Sequence, residues 1–132
     1  MRPSIRSYRD LQVWQRGIVL AETSYHLSQK LPRDERFGLV VQIRKAAVSI
    51  PANVAEGHGR AHLGDYLRFL SIAKGSLMEL ETHVILAGRL RYVNQQDTTA
   101  FFQQSTELGR MLAGLITALR KRRQQRTQPS TP

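Results

Sequence analysis

The chain has 132 residues, 41% of them hydrophobic, and a formal net charge of +10. This length suits one domain that buries roughly two-thirds of its unfolded surface. The lack of cysteine excludes disulfides and thiolate metal sites. No segment approaches the roughly 18 continuous apolar residues of a spanning helix, and the N-terminus lacks the apolar core of a signal peptide. We therefore expect a cytoplasmic protein.

Most of the excess positive charge lies at the two ends of the chain. Residues 1–16 contain four arginines and one aspartate, and residues 120–132 contain five basic residues and no acid. The 103 residues between them are nearly balanced, with 11 bases and nine acids. One or two cations would satisfy the dipole of a helix C-terminus. The remaining basic residues indicate a polyanionic partner.

Apolar residues recur at steps of three and four in four segments, which predicts four amphipathic helices. The first set is Leu11, Trp14, Ile18, Ala21 and Tyr25, and the others run through 40–54, 66–87 and 101–119. A second group of apolar residues lies outside these sets and predicts a further face for subunit contacts. Its members are Val13, Leu20, Leu27, Leu39, Val41, Phe69, Ile72, Ile85, Phe102, Met111 and Ile116.

Capping signals and turn residues set the predicted helix boundaries. Ser7 with Asp10, and Asn94 with Asp97, have the spacing of capping boxes, so they predict the starts of the first and fourth helices. The first helix should run from about residue 8 to 31, the second from 34 to a glycine C-cap at 57–59, and the third from 62 to 90. The fourth should fade near residue 125.

These short connections predict an all-α, antiparallel up-down-up-down four-helix bundle. Pro51 lies inside the second helix and predicts a kink, because proline removes a backbone donor. Residues 1–126 should form the single domain, and residues 127–132 a disordered polar tail.

This topology places the chain start, the turn between helices two and three, and the end of helix four at one end of the bundle. We call it the basic end. Its candidate nucleic-acid-binding residues are Arg2, Arg6, Arg9, Arg60, Arg120, Lys121, Arg122, Arg123 and Arg126, accompanied by His58 and His62. Phosphate contacts with weak sequence preference are the leading prediction. The alternative is a structural or protein-interaction scaffold that binds no nucleic acid.

A polar stripe on the second helix and two polar residues on the third are candidates for an active site. Ser49, Asn53 and Glu56 share one face of the second helix, and Glu79 and His83 one face of the third. A di-iron bundle requires Glu-x-x-His on two helices, whereas a single Glu-x-x-x-His occurs here.

We therefore predict that these polar residues serve structure, with no catalytic site, metal or cofactor. Glu56 and Glu79 should be satisfied by Arg36, Arg44, Arg68 or backbone donors. His58 and His62 are four residues apart, but a turn lies between them, so we expect both to be exposed.

The segments SIPANVAEG at 49–57 and FLSIAKGSLMELET at 69–82 carry a family resemblance. From about residue 10 to 121 the chain resembles the bacterial four-helix-bundle family first noticed as open reading frames in 23S ribosomal RNA intervening sequences. That family is similar in fold to the accessory variability determinant protein of diversity-generating retroelements, a basic barrel of five bundles that binds nucleic acid and a reverse transcriptase. The resemblance implies a homopentamer without enzymatic activity, with RNA, DNA or a reverse transcriptase as candidate partners.

Overall fold

The computed structural model describes residues 4–127, apart from the side chain of Thr127. In this range four helices form and there is no strand: α1 Gln12–Ser28, α2 Leu39–His58, α3 Leu63–Arg89 and α4 Gln95–Thr127. Short 3₁₀ turns at Tyr8–Asp10 and Arg33–Glu35 precede α1 and α2. The all-α four-helix prediction is confirmed. Arg2 and residues 128–132 of the predicted tail lie outside the described residues.

Contacts between neighbouring helices show that each runs antiparallel to the next. Arg44 near the start of α2 reaches Ser28 at the end of α1. Gly57 near the end of α2 approaches Tyr66 near the start of α3, and Gly88 near the end of α3 approaches Thr98 near the start of α4. The bundle closes where α4 packs on α1, with Arg16 Nη1 3.1 Å from Glu107 Oε2.

Both predicted capping boxes are present. Ser7 Oγ accepts from Arg9 N, and Asp10 Oδ2 accepts from Ser7 N at 3.2 Å. This box caps the 3₁₀ turn, because Leu11 is extended and separates that turn from α1. At the start of α4, Asn94 Oδ1 accepts from Asp97 N at 2.8 Å, and Asp97 Oδ2 accepts from Asn94 N at 3.3 Å.

Asp97 also ties the start of α4 to the end of α1. Lys30 Nζ lies 2.6 Å from Asp97 Oδ1, and this hydrogen bond holds the pKa of Asp97 below its ordinary value of 3.8, aided by the Asn94 N–H. Because the pKa of Asp97 is lower in the folded state, its ionised carboxylate stabilises the fold at pH values above the unfolded-state pKa. This stabilisation is lost as the pH falls through the folded-state pKa.

We expect Asp97→Asn to lower the free energy of unfolding by about 1 kcal/mol at neutral pH, because the pair is partly exposed and screened. The difference from the parent should begin to shrink as the pH falls below about 4, the ordinary pKa of an unfolded aspartate, and should vanish below the lower folded-state pKa, where folded Asp97 takes up its proton. Urea denaturation at several pH values measures this. Glu22→Gln is the control, since Glu22 is exposed and forms no ion pair within residues 4–126. An Asp97→Asn deficit that persists at low pH would contradict the electrostatic origin.

The second helix departs from its predicted boundaries at its start, whereas its end is where the sequence places it. Residues 33–35 form a 3₁₀ turn, and α2 starts only after Gly38, whose φ of −110° and ψ of −108° interrupt the helix. The helix continues through Pro51 and ends at His58. The predicted glycine C-cap is confirmed at Gly59, which is right-handed with φ −77°, while Gly57 lies inside the helix.

A left-handed cap occurs instead after α3, at Arg91 with φ 64°. Tyr92 N donates to Ala87 O, and Arg91 N donates to Gly88 O, both at 3.0 Å. This is the pair of bonds of a Schellman motif, which satisfies the last carbonyls of a helix and usually places glycine at the left-handed position.

One hydrophobic core runs along the bundle, and the predicted faces of α2, α3 and α4 point into it. Its fully buried large side chains include Leu20, Ile43, Ile50, Leu70, Leu80, Phe101, Leu108 and Leu112. In α1 the predicted register is wrong. Its buried residues are Val13, Gly17, Leu20, Ser24, Leu27 and Ser28, whereas the predicted set is half-buried or, at Tyr25, exposed.

The second apolar face predicted for subunit contacts is largely part of this core. Val13, Leu20, Leu27, Leu39, Phe69 and Ile116 are buried within the single chain. Phe102 and Met111 are half-buried against the core. Of the predicted members only Val41, Ile72 and Ile85 are exposed.

Candidate nucleic-acid interface

Contacts of α3 with α4, and of the N-terminal turn with α1 and α2, bring the predicted basic end together. A Cβ atom placed on Gly64, at the start of α3, would lie 3.7 Å from Arg123 Nη2 near the end of α4. The 3₁₀ turn at Tyr8–Asp10 packs against α1 and α2. Arg6, Arg9, Arg60 and the basic residues of α4 therefore share one end of the bundle, as the topology predicts.

The last two turns of α4 carry the most accessible positive charge. Residues 120–126 are all exposed. Arg120, Lys121, Arg122 and Arg126 form no ion pair within the described part of the chain. Arg122 also acts on Tyr66: burial raises the pKa of that phenol, and the positive charge of Arg122 partly opposes the rise. Arg120, Lys121, Arg122 and Arg126 are therefore available to an external anion.

Arg60 is less available than the sequence suggests. Its Nη2 lies 2.9 Å from Glu56 Oε1 one turn earlier, and its guanidinium carbon is 4.9 Å from the centre of the Phe69 ring. Arg68 lies over the same ring at 4.8 Å. Stacking on an aromatic ring holds a guanidinium in a fixed orientation. Arg68 is exposed and, unlike Arg60, forms no ion pair within the described residues. It is therefore added to the candidate residues, although the sequence pattern indicated it only as a partner for buried acids.

The N-terminal turn contributes two arginines and one carboxylate to the basic end. Arg9 is exposed, with its guanidinium carbon 5.6 Å from the centre of the Tyr8 ring. Arg6 N donates to Asp10 Oδ2 at 2.9 Å. That backbone bond, together with the one from Ser7, lowers the pKa of Asp10. Asp10 therefore remains ionised, and the turn contributes a smaller net positive charge than α4.

Two residues of the polar stripe on α2, Ser49 and Asn53, form a hydrogen-bond network with a residue that sequence reasoning missed. Ser49 and Ser76 share a hydrogen bond of 2.8 Å between their hydroxyl oxygens. Asn53 Nδ2 donates to Ser49 Oγ at 2.9 Å and to Ser49 O at 2.7 Å. No chemical pattern in the sequence marks Ser76, since its role depends on where α3 packs against α2. The network links the two helices.

The predicted partners of the acidic residues are wrong. Glu56 pairs with Arg60, and Glu79 Oε1 lies 3.5 Å from His83 Nε2 one turn later on α3. Arg44 donates from Nε to Ser28 Oγ at 2.9 Å and lies over the Tyr25 ring. An exposed helix surface allows acids to pair locally, within one turn, rather than across the bundle.

The two histidines at the turn between α2 and α3 differ in exposure. His58 is half-buried at the end of α2, with its ring edge-on to Tyr66 at 5.8 Å, so the expectation that it is exposed is wrong. His62 is exposed. Among the described residues no three His, Asp or Glu side chains lie close enough together to hold a metal ion. Within the same range no helix is long and apolar enough to cross a membrane.

The fold and this cationic surface define a basic, antiparallel four-helix-bundle protein. Residues 9–114 match the family model of the 23S rRNA-intervening sequence protein. The chain belongs to this family, as the resemblance indicated.

One solved structure, from Bacteroides thetaiotaomicron VPI-5482, is a protein of unknown function from the S23 ribosomal protein family. It shares 25% identity with this chain at a TM-score of 0.73, covering 79% of this chain and 97% of its own. No curated protein matches the sequence.

Proposed function

We propose that this protein is a non-enzymatic, oligomeric, cytoplasmic bundle that binds RNA or DNA through phosphate contacts at the basic end. The observation that carries the proposal is the set of four exposed cations on the last turns of α4, Arg120, Lys121, Arg122 and Arg126, none of them in an ion pair within residues 4–126. Phosphates of a polynucleotide release condensed counterions when such cations bind them, and this release favours association.

Recognition should depend on backbone charge and shape rather than on base identity. Tyr8, which is half-buried, packs edge-on against Trp14 at 5.2 Å, and Phe69 is buried beneath Arg60 and Arg68. Neither ring offers an open face on which a base could stack. Phosphate contacts position a nucleic acid but carry no sequence information directly.

The test is a salt series of binding to a structured RNA and to a DNA duplex. We expect log affinity to fall linearly with log salt, and the ratio of the two affinities to identify the better target. Binding that is absent near physiological salt, with the fold intact, would overturn the proposal. The alternative, a protein-interaction scaffold, would then account for the basic end as a surface for acidic proteins.

The oligomeric part of the proposal rests on two exposed stripes with opposite charges. Along α2, Val41, Lys45 and Val48 are exposed and share one face. Lys45 has no ion pair within the described residues.

A matching stripe on α3 carries Ile72, Glu79 and Leu86, all exposed. The contact between Ser49 and Ser76 places Lys45 and Glu79 at nearly the same height along the bundle. If α2 of one copy packs on α3 of the next, apolar residues meet apolar ones and Lys45 meets Glu79. Such a head-to-tail contact builds a closed ring when the rotation from one copy to the next adds up to a full turn. The number five follows from the family resemblance.

We expect Val48→Glu to dissociate the oligomer, because it places a charge in the apolar contact. Sedimentation equilibrium measures the mass against 15.0 kDa for one chain. The control is Val19→Glu on α1, since Val19 is 47% exposed and Val48 43%. A parent protein that sediments as one chain at micromolar concentration would refute the assembly.

A further inference from the structure

A long groove runs between α3 and α4 on the outside of the bundle. Its larger part has a volume of about 1020 Å³ and reaches from Val93 and Asn94 to Arg110. A second part continues along the same two helices from Met78 to Arg120. At a rise of about 1.5 Å per residue, the larger part spans about 22 Å of α4, the length of a helix of about four turns.

Apolar side chains form the floor of the groove. In the larger part these are Ile85, which is 48% exposed, and Phe102, which is half-buried. In the second part it is Met78, which is 60% exposed. No exposed aromatic ring lines the groove within the described residues. Stacked bases would find no platform here, whereas the apolar face of an amphipathic helix would bury this floor.

The rim of the groove is cationic. Lys74, Arg89, Arg110 and Arg120 border it, and none of them forms an ion pair within residues 4–126. Two carboxylates lie nearby and both have partners: Glu107 pairs with Arg16, and Glu81 accepts from the buried Ser105. A second copy of a chain with net charge +10 is a poor occupant, because like charges would meet along the rim.

We propose that the α3–α4 groove binds an acidic amphipathic helix of a partner protein. The apolar face of that helix would cover Ile85, Met78 and Phe102, and carboxylates at its two flanks would meet the four rim cations. Arg120 borders both this groove and the basic end, whereas Lys121, Arg122 and Arg126 do not line the groove. The inference therefore does not depend on nucleic-acid binding at the basic end.

The probe is a labelled synthetic helix of about 15 residues, with leucines on one face and glutamates on the flanks. Its companion carries lysine in place of every glutamate. Fluorescence anisotropy with the full chain should show binding of the glutamate peptide and at least about tenfold weaker binding of the lysine peptide. Equal binding of both peptides, or binding of neither, would overturn the proposal.

Variants of the protein locate the binding surface. Ile85→Gln and the pair Arg89→Gln with Arg110→Gln should each weaken binding of the glutamate peptide by about tenfold. Val19→Gln should not, although Val19 has nearly the same exposure as Ile85. Loss of Lys121, Arg122 and Arg126 should leave peptide affinity within about twofold, since these residues do not line the groove. If that last variant abolishes peptide binding and the groove variants do not, the peptide binds the basic end and the inference fails.

Discussion

Replacing Lys121, Arg122 and Arg126 with glutamine is expected to remove much of the affinity for polynucleotides. All three side chains are exposed and form no ion pair within the described part of the chain, so their charge is available to phosphate. Each lost contact with duplex DNA should reduce the slope of log affinity against log salt by about 0.9. The loss should be similar for RNA and DNA of different sequence, because backbone contacts do not distinguish bases.

A matched variant at the opposite end of the bundle controls for net charge. Arg33, Arg36 and Arg91 are exposed and lie between α1 and α2 or between α3 and α4. Changing all three to glutamine removes the same formal charge from an end that also carries Asp34, Glu35 and Asp97. We expect a smaller loss and a nearly unchanged salt slope. Equal losses in both variants would show that binding responds to total charge, and the basic end would then lose its assigned role.

The second large effect is expected from Gly57→Ala, a change that adds a single methyl group. Gly57 is buried in α2, and a Cβ there would lie 2.7 Å from Phe69 Cβ, 3.1 Å from Tyr66 Cδ1 and 3.3 Å from Tyr66 O. Neither the backbone oxygen nor a Cβ can rotate away, so α2 and α3 must separate. We expect the free energy of unfolding to fall by about 1–3 kcal/mol, the usual effect of overpacking.

Urea denaturation followed by far-ultraviolet circular dichroism measures this effect. Gly114→Ala is the control, because a Cβ at Gly114 meets no atom within 4 Å. In an exposed helix interior, alanine should stabilise the protein by about 0.5–1 kcal/mol relative to glycine. The two substitutions should therefore change the free energy of unfolding in opposite directions. A Gly57→Ala protein as stable as the parent would mean that α2 and α3 approach each other less closely than these distances indicate.

Local signals in the sequence account for much of the fold. Both capping boxes, Ser7 with Asp10 and Asn94 with Asp97, form as predicted because each involves residues only three apart. The apolar registers of α2, α3 and α4 are also correct, since apolar residues occupy nearly every inward position there. The separation of charge along the chain becomes a basic end because short connections force antiparallel neighbours.

The face of α1 was decided by packing that local patterns do not encode. Its inward positions include Gly17 and Ser24, which a search for large apolar residues passes over. Gly17 is inward because Pro51 of α2 approaches it so closely that a Cβ added at Gly17 would lie 3.4 Å from Pro51 Cβ. Ser24 tolerates burial because its hydroxyl donates to Leu20 O at 2.7 Å, within its own helix.

In the candidate sites, too, the sequence and the tertiary structure determined different features. The sequence by itself determined which residues carry the charge, and Lys121, Arg122 and Arg126 remain exposed because they follow the last core residue of α4, Leu119. Only the tertiary structure decided that Arg60 and Arg68 share the Phe69 ring and that α3 and α4 leave a groove between them. These features depend on distances between residues on different elements or far apart in the chain, whereas composition and periodicity report only on neighbours within a few turns.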